Sequence, residues 1–192
     1  MFQFQPANYG SQFAKLFESP RIASLGPGTP NSSKEPLLEE LTPSMAFENL
    51  SIKHPNMAQC CISGAWLYFD FLDESHTISQ DIHNQTGSFW HGIMHRREPD
   101  YSNAKYWFRR VGRHPVFGTL CQEYQELYEE HPVDHSVALR LNDQNDWDPF
   151  AFVDLVQDAA TSSNQELTDL CLAVQQREWE LLFDYCYQQT IQ

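Results

Sequence analysis

The stretch PNMAQCCISGAWLYFDFLDESHTISQDI, residues 55–82, decides the fold class. Its apolar residues recur at steps of three and four, which places them on one face of an amphipathic helix. Members of this face are Ala58, Ile62, Ala65, Phe69, Leu72 and His76. Pro55 stands near the start of the pattern, and Asn56 can cap it. The stretch therefore predicts a long helix at the centre of the protein.

The rest of the chain continues the helical pattern. Helices are predicted from about Ser88 to Glu98, from about Asp100 to Val111, over residues 119–130, and in two further segments towards the C-terminus. Asp148 before Pro149 is typical of a helix start, and Ser163 with Glu166 has the spacing of a capping box. Only HSVALRL, residues 135–141, hints at strand alternation. The sequence predicts an all-α, single-domain irregular helical bundle.

Residues 1–45 differ in composition from the rest of the chain. They contain Pro20, Pro27, Pro30 and Pro36, which break helices and strands. They also contain apolar residues that a free tail would not need: Phe2, Phe4, Phe13, Leu16 and Phe17. We expect an irregular N-terminal arm over residues 1–45 that packs on a helical domain of residues 46–192.

Composition excludes several classes of protein. The 192 residues carry a formal net charge of −14, which argues against binding to nucleic acid or to an anionic membrane surface. No apolar run has the length of a membrane span, and the N-terminus has no signal-peptide pattern. Five cysteines without a C-x-x-C motif are typical of reduced thiols. Together these features predict a cytoplasmic protein.

The segment FWHGIMHRREPDYSNAKYWFRR, residues 89–110, holds the candidate site. On a helix, His91, His95 and Glu98 share one face, because they are spaced by four and three residues. Two imidazoles and a carboxylate can hold a divalent metal ion if another helix adds a ligand. Asp73 and His76 of the preceding helix are the candidates for the opposite wall. The alternative is that the histidines form hydrogen bonds inside a polar core layer.

Basic residues concentrate in the same region. Six of the chain's twelve lie within eighteen positions: Arg96, Arg97, Lys105, Arg109, Arg110 and Arg113. Guanidinium groups bind carboxylates and phosphates in bidentate geometry. Arg96, Arg97 and Arg109 are therefore predicted to bind a small anionic ligand, with Trp90 and Tyr106 as stacking surfaces. An internal layer of ion pairs, facing the acidic segment 123–148, is the alternative.

Familiar catalytic and metal motifs are missing. Gly92 follows His91, so the H-E-x-x-H motif is absent. Residues 143–154 resemble a calcium loop only in part, since Asp148 stands where the turn requires glycine; we interpret Asp148 as a helix cap. No G-x-S-x-G nucleophile elbow is present.

The segments LYFDFLDESHTISQ and WHGIMHRREPDYSNAKYWFRRVG resemble stretches of an uncharacterised family of bacterial proteins. The resemblance covers roughly the middle third of the chain and is distinctive. It implies membership of that family but no activity, cofactor or catalytic residue.

Two functions remain open from the residues alone. One is a helical protein whose histidine, arginine and acidic pocket binds a small anionic or metal-bound ligand; an enzyme of this kind would use metal- or histidine-assisted acid–base chemistry. The other is a non-catalytic interaction protein, in which the charged cluster forms structural ion pairs and the aromatic arm contacts a partner.

Overall fold

A computed structural model describes residues 2–192. Within that range the chain forms a short 3-10 helix at Pro6–Tyr9, eleven α-helices and no strand. The helices are α1 Gly10–Leu16, α2 Glu35–Glu39, α3 Pro43–Ala46, α4 Pro55–Tyr68, α5 Leu72–Ser79, α6 Gln85–Arg97, α7 Tyr101–Val111, α8 Val116–Glu130, α9 Ser136–Asn142, α10 Pro149–Thr161 and α11 Gln165–Ile191. The all-α prediction is confirmed, and residues 136–141 of HSVALRL lie in helix α9.

The long helix predicted over residues 55–82 is two helices. Helix α4 ends at Tyr68 and α5 begins at Leu72, because Asp70 between them adopts a left-handed backbone conformation with φ of 68°. Aspartate tolerates this conformation better than most residues. The apolar spacing continues across the break because both helices bury a face, so periodicity alone did not reveal it. The bend places the Asp70 carboxylate inside the protein, where it meets Arg97.

Helix α6 runs through the centre of the molecule. Every residue from Thr86 to Arg97 is buried, as expected for a helix surrounded by protein. It begins at Asn84, whose side-chain oxygen accepts a hydrogen bond from the Gly87 amide at 2.8 Å. Helices α4, α5 and α7 pack around it. The approach to α4 is close, since a β-carbon on Gly64 would lie 2.7 Å from the Trp90 ring.

The C-terminal helix α11 packs against α4, α8 and α10. Its N-cap is Asn164, whose side-chain oxygen accepts from the Leu167 amide at 3.1 Å. The predicted capping box of Ser163 and Glu166 is therefore wrong by one residue. The predicted cap at Asp148 is confirmed, because its carboxylate accepts from the Phe150 and Ala151 amides at the start of α10.

The N-terminal arm packs on the helical body. Phe13 and Phe17 are buried, and their rings contact Phe183 of α11 at centroid distances of 5.0 and 5.2 Å. The arm contains α1 and α2, and α3 crosses the predicted boundary at residue 45. The domain boundary at residue 45 stays a prediction.

Two further features of residues 2–192 bear on the sequence analysis. All five cysteines are free and buried. None of the helices combines the length and apolar character that crossing a membrane requires.

Candidate metal centre

Three histidines from two helices meet beside the centre of the fold. Helix α5 supplies His76, and α6 supplies His91 and His95, one helical turn apart. The ring centroids are 4.5 Å apart for His76 and His91, 4.7 Å for His91 and His95, and 5.4 Å for His76 and His95. One nitrogen from each ring lies within 4.8 Å of the other two. His91 and His95 are buried, whereas His76 is half-buried.

Ser79 determines which nitrogen of His91 carries the proton. The Ser79 hydroxyl donates to the His76 carbonyl oxygen at 3.3 Å, so its oxygen is left to accept a hydrogen bond. That oxygen lies 3.0 Å from Nδ1 of His91. Nδ1 therefore carries the proton, and Nε2 keeps its lone pair. Nε2 has no hydrogen-bond donor among the residues of the described chain.

Glu98 has the same effect on His95. Its carboxylate lies 2.9 Å from Nδ1 of His95, and a carboxylate can only accept, so Nδ1 donates. The lone pair of Nε2 then accepts from the side-chain amide of Asn103 on α7 at 3.1 Å. Metal-binding histidines are commonly held in this way, with the second ring nitrogen donating to an oxygen acceptor.

Burial favours the neutral form of His91 and His95. Burial, together with the nearby His95 and His76 rings, lowers the pKa of His91 from 6.5 to about 3. Burial also lowers the pKa of His95, although the Glu98 carboxylate acts in the opposite direction. A histidine must be neutral to bind a metal ion. His91 is therefore in its ligand form at every physiological pH.

The spacing of the rings agrees with the geometry of one tetrahedral ion. Zn–N bonds of about 2.0–2.1 Å place the ring centres of three bound imidazoles about 5 Å apart. The three observed centroid distances lie on either side of that value. Trp107 of α7 closes one side of the cluster, since its ring centroid is 3.9 Å from that of His91.

Some of the residues predicted for the site lie in this histidine cluster, and the others lie elsewhere in the fold. His76, His91, His95 and Glu98 come together, with Glu98 contacting His95 from outside the group of three converging nitrogens. Asp73 is exposed on α5, and its side chain makes no ion pair within residues 2–192.

Arg96 and Arg97 lie inside the protein in ion pairs. Arg96 makes a bidentate contact with Glu178 of α11, and both side chains are fully buried. Arg97 pairs with Asp70 and donates to the Leu67 carbonyl oxygen at 2.6 Å. Neither guanidinium contacts the three histidines. These partners lie outside the acidic segment 123–148 that the sequence suggested.

The other predicted ligand-binding residues are dispersed. Trp90 is fully buried, and its indole N–H donates to the Cys186 sulfur at 3.4 Å. Tyr106 is 46% exposed and lies beside Trp107 and Arg110. Arg109 is exposed at the end of α7. The binding of a ligand by these residues stays a prediction.

Sequence reasoning missed Ser79 and Asn103. Ser79 is three residues after His76, and this spacing on a shared helix could have drawn attention to it. Asn103 lies on the next helix, eight residues after His95. No local spacing rule connects it to the histidines.

Comparisons with known proteins give no relative for this chain. No protein-family model matches it, and searches of curated proteins and of solved structures found no match. The resemblance of residues 67–112 to bacterial proteins stays an expectation, and the chemistry of the site has to be inferred from its own geometry.

Proposed function

We propose that this protein binds a divalent transition-metal ion through His76, His91 and His95. The observation that carries the proposal is the convergence of three imidazoles, each with one nitrogen within 4.8 Å of the other two. Nε2 of His91 and the ring of His76 form no hydrogen bond within residues 2–192. One metal ion would give these nitrogens a partner and would join all three rings.

The ligand set favours a particular class of ion. Imidazole nitrogen suits Zn²⁺, Cu²⁺, Ni²⁺ and Fe²⁺, whereas Mg²⁺ and Ca²⁺ prefer oxygen ligands. Tetrahedral geometry around three histidines is typical of Zn²⁺. Three protein ligands would leave one position for water or for a further side chain.

Residues around the histidines support the same proposal. Ser79 and Glu98 hold the Nδ1–H groups of His91 and His95, so that Nε2 is the available donor of each ring. Such outer contacts strengthen metal affinity by fixing ring orientation. Asn103 would have to release Nε2 of His95 when an ion binds.

The proposal is limited to ion binding and its effect on the fold. A bound ion would join α5 to α6, because His76 comes from one helix and the other two ligands from the next. The larger cavities of the described chain are lined by other residues.

The interaction-protein alternative explains a different set of residues. The buried pairs of Arg96 with Glu178 and of Arg97 with Asp70 support the view that these two arginines are structural. Structural ion pairs on one side of α6 are compatible with a metal site on its other side. We infer that residues 89–110 contribute Arg96 and Arg97 to structural ion pairs, and His91 and His95 to the metal site.

Cobalt binding tests the proposal directly. Protein stripped of metal with a chelator is titrated with Co²⁺, whose visible absorption reports tetrahedral coordination, and Zn²⁺ is then added as a competitor. We expect binding at one equivalent and displacement by Zn²⁺. His76→Gln should lose the cobalt spectrum, and it should fold because His76 is half-buried.

The matched control is His83→Gln, which replaces an exposed histidine outside the cluster. It should bind Co²⁺ as the unmodified protein does. The proposal fails if the unmodified protein shows no tetrahedral spectrum, or if His76→Gln and His83→Gln bind equally well.

A further inference from the structure

A second site is independent of the histidine cluster. A cavity of about 620 Å³ lies between the end of α7, the start of α8 and the start of α10. This volume is in the range of small-molecule sites. We propose that the cavity binds a small aromatic molecule that carries an oxyanion group.

The walls of the cavity are suited to an aromatic ring. Four aromatic residues line it: Phe108, Phe117, Trp147 and Phe150. Phe108 and Trp147 are buried, and Phe150 is half-buried. Aromatic rings pack well against one another in offset or edge-to-face geometry. The indole N–H of Trp147 is buried without an acceptor in the described chain. Buried donors are rarely left without an acceptor, so a polar atom of a ligand would suit this position.

Two arginines that line the same cavity provide positive charge for an anionic ligand. Arg109 and Arg113 line it, and both are exposed. Neither has an ion pair or a hydrogen-bonded partner within residues 2–192, in contrast to Arg96 and Arg97. In a chain with 26 acidic and 12 basic residues, two unpaired guanidinium groups beside one cavity favour an anionic ligand.

Two carboxylates also line the cavity, but neither forms an ion pair with these arginines. Asp148 is already engaged, because its side chain accepts from the Phe150 and Ala151 amides. Asp146 is an exposed residue at the rim. The first two amides of α8 are engaged as well, since Val116 donates to Nδ1 of His114 and Phe117 donates to the His114 carbonyl oxygen. The site therefore combines apolar walls with two guanidinium groups that have no protein partner within residues 2–192.

Gly118 allows the cavity to be filled without a clash. It lines the cavity on the first turn of α8, and a β-carbon built there meets no atom within 4 Å. Gly118→Leu should therefore occupy ligand space, while replacement of a helical glycine raises helix propensity. Gly118→Ala is the matched control, since it changes the propensity but adds little volume.

Three probes define the chemistry of the ligand. Phenylacetate and phenyl phosphate each carry an aromatic ring and an oxyanion, whereas phenylacetamide is a neutral molecule of similar shape. Dissociation constants are measured by ligand-observed NMR on the full chain. We expect at least one of the two anions to bind, and phenylacetamide to bind about tenfold more weakly, because it cannot form a charge-assisted contact. The preferred anion distinguishes a carboxylate ligand from a phosphate ligand.

Variants locate the binding. Arg109→Gln combined with Arg113→Gln should weaken binding of the preferred anion about tenfold or more. Arg140→Gln, which replaces an exposed arginine outside the cavity, should leave it unchanged. Gly118→Leu should weaken binding of all the probes, and Gly118→Ala should not.

Several results would overturn the proposal. It is wrong if the unmodified protein binds neither anion, or if phenylacetamide binds as tightly as both anions. It is also wrong if the double arginine variant and Gly118→Leu both keep the affinity of the unmodified protein. Since none of these residues contacts the histidines, the outcome is independent of metal binding.

Discussion

Two polar clusters lie along helix α6, and they differ in how their charges and lone pairs are matched. Arg96 and Arg97 are buried against Glu178 and Asp70, so each guanidinium charge has a carboxylate partner. The neighbouring His91 converges with His95 and His76, and Nε2 of His91 and the His76 ring have no hydrogen-bond partner within residues 2–192. In a matched cluster the loss of either partner destabilises the fold, whereas a cluster of converging imidazoles with free nitrogens is suited to binding an ion.

The largest expected effect comes from breaking a matched pair. Glu178→Ala leaves the buried guanidinium of Arg96 without its partner, and removal of one member of a buried ion pair typically costs about 3–5 kcal/mol. The free energy of unfolding from urea titration provides the measurement. Glu166→Ala, on the exposed surface of the same helix, should change it by less than about 0.5 kcal/mol. Equal effects of the two variants would contradict a structural role for the pair.

A buried histidine with matched partners gives the next prediction. His114 accepts from the Val116 amide through Nδ1 and contacts the Thr86 hydroxyl through Nε2. Burial lowers its pKa from 6.5 to about 4. Between these two values the unfolded chain holds a proton on His114 that the folded chain does not. Stability should therefore fall as the pH decreases through this window, by about 3 kcal/mol in total.

The test is the pH dependence of urea unfolding in metal-free protein. His114→Gln should remove this part of the acid sensitivity between pH 6.5 and 4. An unchanged slope in the variant would show that other groups account for the acid sensitivity.

Zinc should stabilise the folded protein by binding to the cluster of His76, His91 and His95. At a free Zn²⁺ concentration about 100 times the dissociation constant, ion binding to the folded state adds about 2.7 kcal/mol to the free energy of unfolding. His76→Gln should lose this gain, because it removes the ligand that joins α5 to α6. His83→Gln should keep it. Stabilisation of the His76→Gln protein to the same extent would place the ion elsewhere.

Asn103 should have the smallest effect. Its amide donates to Nε2 of His95 in the metal-free protein, so it competes with an ion for that lone pair. Asn103→Ala should therefore raise zinc affinity by no more than about tenfold, equivalent to one hydrogen bond of about 1 kcal/mol. A competition titration with a chromophoric chelator measures the change. A decrease in affinity would instead make Asn103 a residue that helps to hold the ion.

The sequence predicted the parts of this comparison that depend on spacing within one helix. His91, His95 and Glu98 share a face because the helix repeats every 3.6 residues, and the Glu98 contact with His95 is observed. The break at Asp70 was not predicted, since the apolar pattern runs through it. It depends on the backbone of a single residue, whose carboxylate is held by Arg97.

The sequence by itself determined that the chain is helical, that Asp148 caps a helix, and that two histidines of α6 lie on one face with the glutamate that ends the helix. These features follow from residues a few positions apart, whose relative placement is set by helix geometry alone. Only the tertiary structure decided that His76, and not Asp73, joins them and that Arg96 meets Glu178, which is 82 residues away. Such contacts depend on how helices are packed to bury the whole apolar surface, and no local pattern specifies that packing.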